Sequence, residues 1–356
     1  MARRAGRRRG RRLALALGAG ALLAGCAATS FDLGYYWQSA AGQWSLITRA
    51  RPIDALLQDA QLDAGLRTRL ERVREIRRFA SETLGLPDNG SYTQYADLGR
   101  PFVVWNVFAT PELSLTLHQW CFPVAGCVGY RGYFDRAAAL RTAQGLRDQG
   151  LDVHVAGVPA YSTLGWFDDP VLNTFIHRPD GELARLVFHE LAHQVLYLKG
   201  DTVFNESFAT AVEEVAVERW LAAIDDPAVT AAYRVSAARR QAFVGLLTRH
   251  RDALAALYQS GAPEPVLRAG KQAVFDAMRQ EYAELKTQWG GFAGYDHWFA
   301  QPLTNAHLAS VSAYHDHVPG FRRLLAEADG DLPRFFDLAR GLARLPAEQR
   351  QARLVP

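Results

Sequence analysis

Apolar residues recur every three or four positions from Ile53 through Leu56, Leu66, Leu70, Val73, Ile76 and Phe79. That is the spacing of helices with one buried face, and two antiparallel helices account for residues 52–84. The period then changes. Residues 101–108 and 113–120 are rich in β-branched and aromatic side chains and read as strands, with residues 130–134 as a short third. A helix from Asp135 to about Gln149 closes on Gly150, and residues 151–155 alternate like a further strand. Residues 157–180, with Pro159, Gly165, Pro170 and Pro179, read as a loop. The helical period returns from Asp180, as N-cap, to Lys199, with Gly200 as the stop. The next helix starts at Asn205, a good cap, and runs to about Ala223. Beyond it nearly every window is helical, broken at residues 261–263, at Gly290-Gly291 and at Pro319. The fold class is α+β, with a small mixed sheet in the N-terminal half and a helical C-terminal half.

The helix over residues 180–199 contains Phe188-His189-Glu190-Leu191-Ala192-His193-Gln194. Residues four apart on a helix share a face. His189 and His193 therefore converge on one metal ion, with Glu190 beside it. Leu186, Val187, Leu191, Val195 and Leu198 make this a buried helix, and buried imidazoles need partners. A hydrolytic zinc site takes three protein ligands and a water. Glu206 can supply the third. Glu213, two turns further on, is the alternative ligand or a group behind one. Zinc is the expected cofactor; manganese, cobalt and iron suit the same donors. Zinc lowers the pKa of its water to about 7, and Glu190 takes the proton and passes it to the leaving amine. The chemistry is metal-assisted amide hydrolysis. A closed structural zinc site in a non-catalytic envelope protein would leave Glu190 without a role.

Composition is that of a globular protein, but the formal charge of +3 misplaces the charge. Seven of the 40 basic residues lie before residue 13, so without residues 1–25 there remain 33 against 37 acidic ones, and the body is mildly acidic. The one dense basic run is this leader, which excludes a nucleic-acid-binding reading. Arg3 to Arg12 are followed by an apolar stretch, Leu13 to Leu23, too short for a permanent membrane span. It ends in Leu23-Ala24-Gly25-Cys26, which resembles a bacterial lipobox, with the signal cut before Cys26 and lipid carried on it. An ordinary secretory signal or an N-terminal anchor is the alternative. The expected organisation is a signal over residues 1–25, a helical and sheet region over 26–180 and a metal-site and helical region over 181–356, or one catalytic domain over 26–356. Export places the chain at the cell envelope, tethered to a membrane, the outer membrane by expectation, and facing the periplasm. Such a compartment permits a disulfide between Cys121 and Cys127, across a turn made by Pro123 and Gly126; two buried thiols are the alternative.

Asn205-Glu206-Ser207-Phe208-Ala209 resembles the Asn-Glu-Gly-Phe-Ala segment of the aminopeptidase-N-like gluzincins, which implies Glu206 as the third metal ligand. Twelve residues separate His193 from Glu206, fewer than that group usually places there. Over residues 30–345 the chain resembles a family of secreted bacterial lipoproteins regarded as zinc aminopeptidases. The resemblance rests on Tyr35-Tyr36-Trp37-Gln38, on Phe122 to Cys127 with Tyr130-Arg131-Gly132-Tyr133-Phe134, on Tyr161 to Gly165, on the metal motif, on Phe204 to Ala209, and on Asn305-Ala306 through Val318-Pro319. It implies zincin-like metal-site helices and removal of N-terminal residues from peptides; an endopeptidase acting on envelope proteins or cell-wall peptides would keep the same chemistry. An exopeptidase must hold a substrate ammonium, for which Asp168 and Asp169 are candidates, with Glu213 and Glu214 as rivals; Asp168-Asp169-Pro170 also suits a plain turn. Tyr161 to Leu164 could supply an edge strand for the peptide. Tyr314 is the candidate for stabilising the oxyanion, or else a packed core tyrosine. Replacement of Cys26 by Ser is expected to move the protein from the membrane to the soluble fraction and to abolish incorporation of labelled palmitate.

Overall fold

The computed structural model describes residues 33–122, 126–312 and 316–355. Cys26 and Tyr314 lie outside them. The chain divides between Ala41 and Gly42. Of the first unit the described part is the start of helix α1 (Leu33–Arg49); every other element belongs to the second. That unit continues with β1 (Arg51–Pro52), α2 (Ile53–Leu57) and α3 (Ala64–Glu82), where Asp63 caps the first turn by accepting the Leu66 amide at 2.8 Å. Next come β2 (Gln94–Ala96), β3 (Val104–Pro111), β4 (Trp120–Phe122), β5 (Gly126–Val128), β6 (Arg131–Tyr133), α4 (Arg136–Arg147), β7 (Leu151–Val158) and β8 (Val171–Leu172). The rest is helical: α5 (Asp180–Val195), α6 (Thr202–Ile224), α7 (Pro227–Gln259), α8 (Glu264–Gln288), α9 (Asp296–Phe299), α10 (Asn305–Ser312), α11 (Val318–Glu327), α12 (Leu332–Ala343) and α13 (Ala347–Leu354). The α+β class stands, with a helical C-terminal half. The strands form three small sheets rather than one: β1-β2-β8, the only mixed one among the described residues, antiparallel β6-β3-β7, and the β4-β5 hairpin.

Several local expectations are corrected. Residues 113–119 are not a strand; Pro111 ends β3, and the following carbonyls of Glu112 and Ser114 are taken by the Asn305 side chain of α10. Residues 161–164 form no edge strand either. Their loop closes on itself: the Thr163 hydroxyl bonds the Phe167 backbone, and Asp169 accepts the Thr163 amide at 2.8 Å. α5 starts behind Pro179, with Asp180 paired instead to Arg69 and Arg72 on α3. It ends at Val195, short of Gly200. α6 starts three residues early, capped by Asp201, which accepts the Phe204 amide at 3.0 Å. Asn205 is no cap. Its amide bonds the Leu198 backbone both ways, at 2.7 and 2.8 Å, and so ties down the α5–α6 link.

α6 is the central helix. It carries apolar residues all round, and such a helix is stable only when surrounded. Its Phe208 ring packs on Phe321, Phe335 and Phe336 of α11 and α12, while its other side meets α5. Phe188, Phe204, Phe208, Val212 and Trp220 belong to the main core, which reaches from Leu46 of α1 to Leu354 of α13. A second core holds the α7–α8 hairpin against α9 and α10 through Leu246, Phe275, Met278 and Phe299. Among the described residues no helix is long and apolar enough to cross a membrane.

Where α10 lies on the β6-β3-β7 sheet, two imidazoles are buried face against face. The rings of His154 and His307 are 3.8 Å apart between centroids, flanked by Phe108 and Trp298. Burial depresses His154 to about 4, helped by Arg147. Burial, His154 and Arg147 and Arg279 depress His307 to about 2, opposed by its bond from the Thr304 amide. Both are neutral when folded but titrate near 6.5 when unfolded, so the unfolded chain binds more protons below that pH. Stability contributed here is complete above pH 6.5 and is lost as pH falls towards 4 and below, by about 1.4 kcal/mol per pH unit for each imidazole. Calorimetric melting between pH 6.5 and 4 should show this loss, and His307→Gln should flatten it.

Candidate metal centre

α5 and α6 bring the three expected donors together. Arg185 meets Glu213, His189 meets Glu206 and Glu213, and His193 meets Glu206, so the helices run antiparallel. His193 Nε2 is 3.2 Å from His189 Nε2, and Glu206 Oε2 is 3.3 Å from the latter and 3.6 Å from the former. One ligand atom from each residue lies within 4.8 Å of the other two. Behind the site, Glu213 Oε2 accepts from His189 Nδ1 at 2.9 Å. That bond orients the ring and, in the neutral imidazole, leaves the Nε2 lone pair facing His193 and Glu206.

The electrostatics suit a cation. Burial alone would raise the Glu206 carboxyl, but His193 and His189 outweigh it and hold it at about 2. Burial would lower His189, but its bonds to Glu206 and Glu213 prevail and push it up to about 10. Glu213 is likewise held at about 2, against burial, by Arg185 and His189. The pocket thus stabilises positive charge between two imidazoles and a carboxylate. His189, His193 and Glu206 fit a divalent metal ion of the kind bound by two nitrogens and one oxygen.

Glu190 sits beside these donors, half-buried. Burial raises its carboxyl, with His189 and His193 pulling the other way. Among the described residues its carboxylate makes no hydrogen bond, so it is free to serve a water or a substrate.

The other expected site residues divide. Glu213, offered as a substrate-binding residue, has both oxygens on Arg185, at 2.8 and 2.9 Å, and one on His189; it supports a ligand and has no oxygen left for an ammonium. Glu214 is paired with Arg322 on α11. Asp169 is buried and spent on its own loop, accepting the Thr163 amide and, at 3.4 Å, the Ser162 hydroxyl. Burial raises it to about 6 in spite of those bonds. Asp168 is exposed, makes no ion pair or hydrogen bond among the described residues, and packs on Gly90. Residues 89–91 dock in turn on α5: Asn89 donates to Gln194 at 2.7 Å and Gln194 to the Ser91 hydroxyl at 3.1 Å. Asp168 therefore borders the end of the metal helix. Cys121 and Cys127 face each other across the β4-β5 ladder and are disulfide-bonded.

Three residues outside the expected set complete the site. Arg185 is held between Glu182 and Glu213, and Glu182 is held by Ser236 and Arg240 on α7. Tyr92 is fully buried, with φ of 62° and a hydroxyl that has no partner among the described residues; burial first, then Glu190 and Asp169, push its phenol well above the ordinary range. Tyr130 follows the disulfide hairpin, and burial, Glu206, Tyr197, Tyr161 and Glu190 raise its phenol. The Tyr130-Arg131-Gly132-Tyr133-Phe134 run marked the resemblance, but its tyrosine carried no signal of nearness to Glu206, which only the tertiary fold supplies.

The chain belongs to the family described as "Putative aminopeptidase", whose model matches residues 34–354, most of the chain. That membership supports peptidase activity. No curated protein and no solved structure matches it.

Glu213→Gln keeps the shape but loses the charge that orients His189. It should weaken metal affinity about 10- to 100-fold, as read by competition with a chromogenic chelator, and a separate melting curve should show the fold intact.

Proposed function

We propose that the protein is a zinc-dependent aminopeptidase that removes N-terminal residues from peptides at the bacterial cell envelope, held there by lipid on Cys26. The observation that carries the catalytic reading is one constellation: three metal donors within 4.8 Å of one another, with the unpaired carboxylate of Glu190 beside them. His189, His193 and Glu206 would hold the ion, which when bound supplies Lewis acidity to water and to the scissile carbonyl. Two nitrogens and an oxygen suit zinc.

The protein's own groups do the rest. Glu190 accepts the proton of the attacking water and delivers it to the leaving nitrogen, work for which a carboxylate without a fixed partner is suited. Glu213, anchored by Arg185, keeps the His189 ring from turning as charge develops. Tyr130 and Tyr92, buried phenols that feel the charge of Glu190, are the proposed proton donors to the developing charge, in a setting poor in water, where such donors count most. Asp168 is the one expected carboxylate free to take an ammonium, and it is the proposed anchor for the peptide N-terminus.

The commitment of Asp169, Glu213 and Glu214 to other partners favours one second reading, an endopeptidase with the same metal chemistry. Aminoacyl 4-nitroanilides set against N-acetylated peptides separate the two: free amino termini should be required, and Asp168→Asn should raise KM for them. Cleavage of the blocked peptides alone would sink the exopeptidase reading. Glu190→Gln should lower kcat by about 10²- to 10⁴-fold with metal content unchanged by atomic absorption, whereas Glu206→Ala should lose the metal. Full activity in the first variant refutes the base, and normal metal in the second refutes the ligand.

A further inference from the structure

A cavity of about 180 Å³ opens between the disulfide hairpin and the first turn of α6. Its walls include Phe108, Leu117, Cys127, Tyr130, Thr202 and Val203. Two larger recesses lie elsewhere, one of about 560 Å³ walled by Asp54, Arg67, Glu71 and Arg74, the other of about 470 Å³ where α6 meets α7. None of the three is lined by His189, His193 or Glu206 themselves. The smaller cavity is different in two respects. Val203 and Glu206 are three residues apart on α6 and so share a face, one turn from each other. Tyr130 forms part of its wall and also feels the charges of Glu206 and Glu190. The cavity is therefore placed one turn of α6 from Glu206.

Its chemistry is mostly apolar. Phe108, Leu117, Val203 and the tyrosine ring line it, Gln119 and Thr202 are its neutral polar side chains, and the one acidic side chain in its wall, Asp201, is spent on the Phe204 amide and on Arg350 at 2.7 Å. A charged guest would lose its hydration without a free counter-charge, at a cost of several kcal/mol. Size agrees: an apolar cavity of about 150 Å³ accommodates a benzene ring.

The shape is built in. Gly126 and Gly200 approach so closely that a Cβ on Gly126 would stand 2.8 Å from the Gly200 amide nitrogen, so the hairpin can press on the α5–α6 link. The disulfide at its base holds the two hairpin strands together beside that contact. One wall of the cavity is thereby held against the helix that carries Glu206.

We propose that this cavity is the specificity subsite of the peptidase, taking an uncharged aromatic or branched aliphatic side chain of the residue next to the scissile bond. The assignment rests on the peptidase reading above. The test compares leucyl, phenylalanyl, alanyl and glutamyl 4-nitroanilides on the metal-loaded full-length protein. Leucyl and phenylalanyl amides should exceed the alanyl one in kcat/KM about tenfold or more, and the glutamyl amide should be the poorest. Val203→Phe, which fills the cavity, should lower the leucyl-to-alanyl ratio about tenfold; Leu117→Trp, on a segment outside helix and strand, fills it from the opposite wall and replaces the first variant if that one fails to fold. An unchanged ratio in a folded, metal-bearing variant overturns the proposal.

Calorimetric binding of phenylalaninamide and glycinamide gives a readout independent of turnover. Wild type should bind the former more tightly, and either variant should erase the difference. Should wild type cleave none of the amides, the aminopeptidase reading fails by itself. The calorimetry then decides the cavity: a preference erased by the variants supports it, and equal binding of the two amides overturns it.

Discussion

A single buried carboxylate, Glu213, links the metal centre to the rest of the fold. It is 4% exposed and binds the Arg185 guanidinium through both oxygens and the His189 ring through one. An unpaired charge at such a place would cost several kcal/mol. The chain therefore satisfies it on all sides, and the satisfaction propagates. Arg185 is shared with Glu182, and Glu182 is held by Ser236 and Arg240 of α7. A ladder of alternating charge thus runs from α7 through α5 to α6 and ends at the metal donors. Each rung depends on the next being in register. Slip of α6 against α5 by one turn would strand Arg185 and Glu213 together, and the cost of that error is what makes the helix pairing specific.

The same ladder explains how one helix serves two roles. Glu206 and Glu213 are seven residues apart, two turns or about 10 Å along α6. They stand at opposite nitrogens of one imidazole, so His189 is gripped between the candidate ligand Glu206 and a support. The remaining faces of α6 are occupied by Phe204, Phe208 and Val212, packed into the core. A central helix of this kind has little freedom to rotate, which is what preorganised donors require. The disulfide hairpin lies against the α5–α6 link at Gly200, and Asn89 and Ser91 bond Gln194 of α5; Tyr130 follows the first segment and Tyr92 the second.

How much of this can be read from the chain follows from the range of each interaction. His189 and His193 are bound by a four-residue spacing, and a helix translates that spacing directly into proximity. The α+β class and the order of most elements follow from periodicity. Caps were less legible. Asn205 and Asp180 are good cap residues, yet Asn205 is drawn to Leu198 and Asp180 to Arg69 and Arg72, and neighbouring Asp201 and Pro179 take their places. Residues 113–119 have strand composition, but Asn305, nearly two hundred residues on, claims the carbonyls of Glu112 and Ser114. Arg185, Tyr92 and Tyr130 gave no local signal at all, because their importance lies in what faces them across the fold. Acidic residues misled for the same reason: Asp169 and Glu213 look available in the sequence and are fully engaged in space.

The short link between His193 and Glu206 is the point at which sequence and structure bear most directly on each other. α5 stops at Val195 and α6 begins at Thr202, so only six residues turn the chain. A turn that tight leaves backbone groups that must find partners. Asn205 supplies both a donor and an acceptor to Leu198, and Asp201 satisfies the Phe204 amide in the first turn of α6 while its second oxygen holds Arg350 of α13. With the link clamped at both ends, Glu206 falls in the second turn of α6, directly across from His193. The spare carboxylate two turns on becomes available to support His189 rather than to bind the metal, and the polar ladder that orders the whole helical half begins there.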